Sequence, residues 1–239
     1  MSDYHQEGNS IMKLLNRAFH VTVALCITVS FLIIGQWPHV ALAQSQKDLS
    51  RIRGGRIAVM PFMKGKFGST PRETIDASIS QLYFNPEKMT PDSDGILTGH
   101  VQKALRKHHG ENLIPLAKSM EAYGVISKDD TRDTLRTLAQ KVGQALGADL
   151  IMAGNVWRFK ERVGRAAGAE TPASVAFGVY LIDVSNGRVL WREVFEKSQT
   201  SLSENILDAR AFFKKGAKWV TANELALYGV KEILKKYPL

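Results

Sequence analysis

Cysteine is nearly absent: the 239 residues contain one, Cys26. A single thiol excludes a disulfide framework and a cysteine-built metal site. Other signatures are missing too. No serine sits in a Gly-x-Ser-x-Gly elbow. The glycine-rich stretch Met63 to Thr70 places Ser69 directly after Gly68. A phosphate loop needs a lysine at that point, so this stretch reads as a loop. There is no internal repeat, no low-complexity tract and no recognised nucleic-acid motif, which disfavours a nucleic-acid partner.

The long apolar run is the most informative feature present. Lys13 and Arg17 form a short basic head, and Ala18 to Gly35 follow with few polar interruptions. Next come Gln36-Trp37-Pro38-His39 and then Ala41-Leu42-Ala43, the small-x-small pattern that signal peptidases accept. Cleavage would fall between Ala43 and Gln44. Residues 1–43 therefore read as an export signal, and the rest as periplasmic or secreted. A second reading stays open: the run of about 18 residues is long enough for an uncleaved inner-membrane anchor through residues 18–35. Met12 opens a signal more naturally than Met1 does. Cys26 follows Leu25 and precedes further apolar residues, a poor context for lipidation. Once the signal is removed, no cysteine remains.

The formal net charge is +9. Asp3 and Glu7 cancel Lys13 and Arg17, so residues 44–239 carry all of it. A basic exported chain suits anionic envelope material, such as lipid head groups or acidic glycan.

Residues 44–55 are polar and read as a linker before one domain, 56–239. Arg56 to Phe62 predicts a buried strand closed by proline. Residues 63–95 predict a long loop, with a short helix around Ile75 to Tyr83. Leu97, Val101 and Leu105 share one face of a helix over Ile96 to His109, stopped by Gly110. Asn112 to Leu116 predicts a short strand. Leu135, Leu138, Ala139, Val142 and Leu146 mark a helix from Thr131 to Leu146, with Asp129 and Asp130 as caps. Asp149 to Asn155 predicts a strand that continues to Val163, and Gly164 to Pro172 a turn. Ser174 to Val184 and Arg188 to Lys197 flank Ser185-Asn186-Gly187, a hairpin signal in which Asn-Gly predicts a tight primed turn. The first of these strands is apolar on both faces, as in a sheet covered on both sides. Thr221 and Glu224 form a capping box for a last helix to Tyr237. The sum is a mixed α/β (α+β) domain, about five strands in a mixed sheet with helices packed on it, preceded by an apolar signal helix.

Three segments, Ile57 to Phe62, Leu146 to Gly154 and Leu181 to Trp191, resemble a group of bacterial envelope proteins. The group includes the CsgG-like curli-secretion subunit, the lipoprotein activators of penicillin-binding proteins, and the amino-terminal domain of the Tol–Pal propeller protein. The resemblance implies a non-catalytic role with envelope partners, no cofactor, and self-association as an option. Most members carry a lipidated cysteine that this chain lacks.

Candidate residues follow from charge and spacing. Lys64, Lys66, Lys214, Lys215 and Lys218 form a candidate contact patch for an anionic partner, the last three beside Phe212, Phe213 and Trp219. His100 and His108 lie about two helical turns apart, too far for adjacent zinc ligands. His108 and His109 instead suit the dipole at a helix C-terminus. Asp183 sits just before the hairpin turn, a structural position. Two functions stay open at this level: a binding module of the envelope, or an exported hydrolase acting on envelope glycan or lipid.

Overall fold

The computed structural model describes residues 37–65, 76, 89–127, 133–165, 168–199 and 219–239. The apolar run, the predicted helix around Ile75 to Tyr83 (save Asp76) and most of the stretch from Leu202 to Trp219 lie outside them. By its contacts the chain divides after Asp48. The unit Leu49–Leu239 holds the sheet and four helices.

Helix α1, Trp37–Gly54, runs through the residues expected to be a linker. Its end belongs to the domain, because Ile52 is 2% exposed and joins the core. Apolar burial therefore starts before the first strand.

The main sheet is mixed and five-stranded, as expected. The strands are β1, Ile57–Val59; β2, Met63–Lys64; β3, Leu150–Lys160; β6, Ser174–Asp183; and β7, Val189–Ser198. Both β1 and β2 run parallel to β3, at Leu150 to Met152 and at Asn155 to Val156. Between them lies Pro61, which has no N–H to give to the ladder. On the other side β3, β6 and β7 form an antiparallel meander. A separate ribbon, β4 (Val163–Arg165) with β5 (Gly168–Thr171), replaces the turn expected at Gly164 to Pro172.

All ten residues of β6 are buried. One core layer gathers Leu97, Val101, Leu105, Phe177 and Val230 on one face of the sheet. The other gathers Leu138, Val142, Ile151, Tyr180 and Ile182. Helices α2 (Ser93–His109) and α5 (Ala222–Leu234) cover the first face; α3 (Leu116–Ile126) and α4 (Leu135–Leu146) cover the second. Burial on both sides explains why β6 lacks polar alternation.

The ends of these helices are set locally. Gly110 takes φ 52° after α2, and Gly147 takes φ 59° after α4. Thr134 caps α4: its side chain accepts from Thr137 N–H, and the Thr137 hydroxyl accepts from Thr134 N–H. The helix thus starts later than Thr131, and Asp129 and Asp130 fall outside the described residues. The Thr221–Glu224 capping box is present on α5.

Two further expectations are corrected. Asn112 to Leu116 is not a strand: only Leu113 bridges Ile57, and Pro115 then opens α3. The hairpin loop is also longer than a two-residue primed turn. Asp183 N–H donates to the Arg188 carbonyl at 2.9 Å, and Gly187 N–H donates to the Asp183 carbonyl at 2.7 Å. Four residues lie between, with Gly187 at φ 69°.

Candidate functional site

The sequence-predicted residues do not converge. His100 Nε2 lies 2.6 Å from Asn223 Oδ1 and ties α2 to the start of α5. His109 is buried, with Nε2 2.9 Å from the Tyr237 hydroxyl. These two contacts fasten the middle and the C-terminal end of α2 to the C-terminal segment. Burial, with His108 adding to it, holds the His109 imidazole below its ordinary pKa of 6.5. Burial also pushes the Tyr237 hydroxyl upward, so it keeps its proton. His108 and Trp191 pack near the same tyrosine ring.

Lys64 is engaged within the fold. Its ammonium is 3.0 Å from Asp94 Oδ1 and also meets the Pro91 carbonyl. It is an internal ion pair at the loop's edge, not an open cation. Lys66, Lys214, Lys215 and Lys218 lie outside the described residues. Ala41, Ala43 and Gln44 fall in α1, and their side chains are likewise outside what is described.

Acidic side chains serve the architecture. Glu161 accepts from Ala222 N–H through both carboxylate oxygens, each at 3.1 Å, and so holds the first turn of α5. Asp149 accepts from Arg56 N–H at 2.9 Å. Asp133 pairs with Lys141 at 2.8 Å. Asp183 accepts from Ser185 N–H and Oγ–H and pairs with Arg51 at 3.0 Å. Among the described residues no group of histidine and carboxylate side chains is placed to hold a metal ion, and no helix is long and apolar enough to cross a membrane.

What the fold does assemble is cationic. The first feature is a stripe on α2. Lys103, Arg106 and Lys107 are all exposed, opposite the buried Leu97, Val101 and Leu105. Spacings of three and four put them on neighbouring turns of one face. Among the described residues none of the three takes part in an ion pair. The same periodicity that marks the buried face marks this one, and in the sequence only the histidines of this helix stand out as candidates.

The second feature is a cavity of about 460 Å³ at the far end of β3. It is lined by Trp157, Arg158, Lys160, Thr171, Pro172, Ser174 and Ser198. A register shift between Val156 and Arg158 leaves Trp157 as the extra residue of a β-bulge. Bulges re-aim the side chains beside them. Past it, Lys160 pairs with Ser174, and Ser174 with Ser198, across three strands. The two serine hydroxyls are 2.6 Å apart. Arg158 Nη1 is 3.0 Å from Glu196 Oε1, while its buried Nε has no hydrogen-bond partner.

A scan of protein families finds no match to this chain, and a search of curated proteins finds none. Several solved structures are similar at low identity. A PelC dodecamer from Paraburkholderia phytofirmans is 16% identical with a TM-score of 0.42, covering 76% of this chain and 86% of that one. The lipoprotein GNA1162 from Neisseria meningitidis is 13% identical with a TM-score of 0.38, covering 67% and 92%. The LpoB C-terminal domain from Salmonella enterica is 14% identical with a TM-score of 0.36, covering 64% and 95%. The curli-secretion subunit and the Tol–Pal propeller domain have no counterpart among these three.

Proposed function

We propose that this chain is an exported, non-catalytic module of the bacterial envelope that docks on an anionic envelope component through α2. The observation that carries the reading is the unpaired stripe Lys103, Arg106 and Lys107 on a chain whose residues 1–43 have the form of an export signal. Three cations on one helix face add their attraction to a phosphate-rich surface, and among the described residues none of them is held in an ion pair. The non-catalytic part is supported by the acids. Glu161, Asp133, Asp149 and Asp183 are each bound to a backbone amide or a basic partner, so each has an architectural task. Self-association stays part of the proposal; a nucleic-acid partner and a cofactor do not.

The test is binding of the full chain, solubilised in a neutral detergent, to immobilised lipopolysaccharide. Each basic residue near an anionic surface is worth about 1 kcal/mol. Replacing all three by glutamine (Lys103→Gln, Arg106→Gln, Lys107→Gln) should weaken binding on the order of 100-fold at low salt. Raising the salt should narrow the gap between the two proteins. Equal binding at low salt would refute docking through α2.

A further inference from the structure

We infer that the cavity at the β3 bulge is a subsite for a hexose-sized sugar unit bearing a phosphoryl or carboxylate group. The inference rests on the envelope reading for the source of such a ligand, but its geometry is independent of the α2 stripe.

Four observations carry it. First, Arg158 and Lys160 are two residues apart on a strand, so both stand on the same face. Each adds a positive charge, and among the described residues only Glu196 offsets them by pairing with Arg158. Among the described residues Lys160 takes part in no ion pair, so one positive charge is left uncancelled by them. Second, the contact with Glu196 uses Nη1 and fixes the plane of the guanidinium. The buried Nε–H is left without an acceptor. An unfilled buried donor is destabilising, and an anionic oxygen is the acceptor that relieves it best. Third, the Ser174 and Ser198 hydroxyls bond to each other. One O–H is consumed in that bond, and the other remains to donate into the cavity. With Thr171 they give the wall three hydroxyl-bearing residues. Fourth, Trp157 and Pro172 supply an apolar side to the same space. Charge at one side, hydroxyls beside it and an apolar wall match a sugar that carries an acidic group. The volume lies within the roughly 300–1,000 Å³ of small-molecule sites.

The bulge is what makes the site. Without the extra residue, Arg158 and Lys160 would fall on the opposite face of the sheet, with Phe177 and Val175.

The experiment is NMR of the full chain in neutral detergent, observing the Arg158 Nε–H and Trp157 indole N–H signals. The probes are glucose 1-phosphate, inorganic phosphate and glucose, each titrated separately. Glucose 1-phosphate should shift both signals saturably, with at least ten-fold tighter binding than either of the other probes. Arg158→Gln and Lys160→Gln should each weaken it about ten-fold, the worth of one charge-assisted contact. If Arg158→Gln does not fold, Lys160→Gln decides, because that side chain is exposed. Three results would overturn the inference: no saturable shift up to about 50 mM, inorganic phosphate binding as tightly as the sugar phosphate, or unchanged binding in Lys160→Gln. Loss of lipopolysaccharide binding in the α2 variant leaves these signals unaffected, so failure of the docking proposal and failure of this one read out separately.

Discussion

Phe177→Ala should cost about 3–5 kcal/mol, the largest single effect expected in this chain. Phe177 is fully buried in β6, the central strand of the antiparallel meander. Its ring meets Phe62 edge-on at 6.4 Å and Phe195 at 5.4 Å. It therefore joins the segment after β1, strand β6 and strand β7 at one point. Removing it deletes buried apolar area and leaves a hole that the sheet backbone cannot collapse to fill. Domain stabilities are about 5–15 kcal/mol, so the variant should be marginal at room temperature. Val194→Ala is the matched control: it lies on β7 and is 43% exposed, so its change should stay within about 0.5 kcal/mol. Urea denaturation of both variants measures the difference. A Phe177→Ala loss below about 1 kcal/mol would contradict the packed two-sided sheet.

Asp183→Ala should cost about 2–4 kcal/mol, next in size. The carboxylate is 2% exposed and accepts from Ser185 N–H at 2.9 Å and Ser185 Oγ–H at 2.7 Å. It also pairs with Arg51 at 3.0 Å. The two halves of this network are unequal. Arg51 is 32% exposed and regains water when its partner goes, so the ion pair itself is worth about 1 kcal/mol or less. The larger share is the turn, where a Ser185 amide loses its acceptor. Asp183→Asn keeps an acceptor oxygen and should recover about half of the loss. Arg51→Gln should cost about 1 kcal/mol at most. A double-mutant cycle over Arg51 and Asp183 isolates the pair. An Asp183→Ala cost no larger than that of Arg51→Gln would show that the carboxylate does not organise the hairpin.

These two positions show how far the sequence could be read. The apolar stretch from Ser174 to Ile182 declared a strand covered on both sides, because no polar alternation interrupts it. The α2, α4 and α5 faces are equally plain, since leucines and valines recur at helical spacing, with a glycine after α2 and α4 and a capping box at the start of α5. The resemblance segments also fall on β1, β3 and the hairpin. What escaped depends on contacts distant in sequence. Helix α3 packs Ser119, Ala122, Tyr123 and Ile126 on the core, but Met120 and Val125 place apolar residues on its other faces too, so its inward face does not stand out in the sequence. The α1 end looked like a linker because its one core residue, Ile52, stands among arginines and glycines. Asn186-Gly187 suggested a tight turn, but the Asp183 carboxylate and the bond from Gly187 N–H to the Asp183 carbonyl hold a wider one.

The functional surface was less legible for the same reason. Local density singles out the candidate lysines, yet Lys64 is spent on Asp94. The open cations stand in a periodic row on α2, opposite the leucine and valine face, where no local cluster of lysines draws attention to them. The cavity depends on a bulge at Trp157, and nothing in the sequence around it marks an extra residue in a ladder.

The envelope assignment is tested most directly by protease access in spheroplasts of a bacterial host expressing the full chain. An antibody against residues 219–239 follows the domain. The account predicts that protease added outside an intact inner membrane digests the unit Leu49–Leu239, whether residues 1–43 are removed or retained as an anchor. Protection until the inner membrane is dissolved would place the domain on the inner side and contradict it.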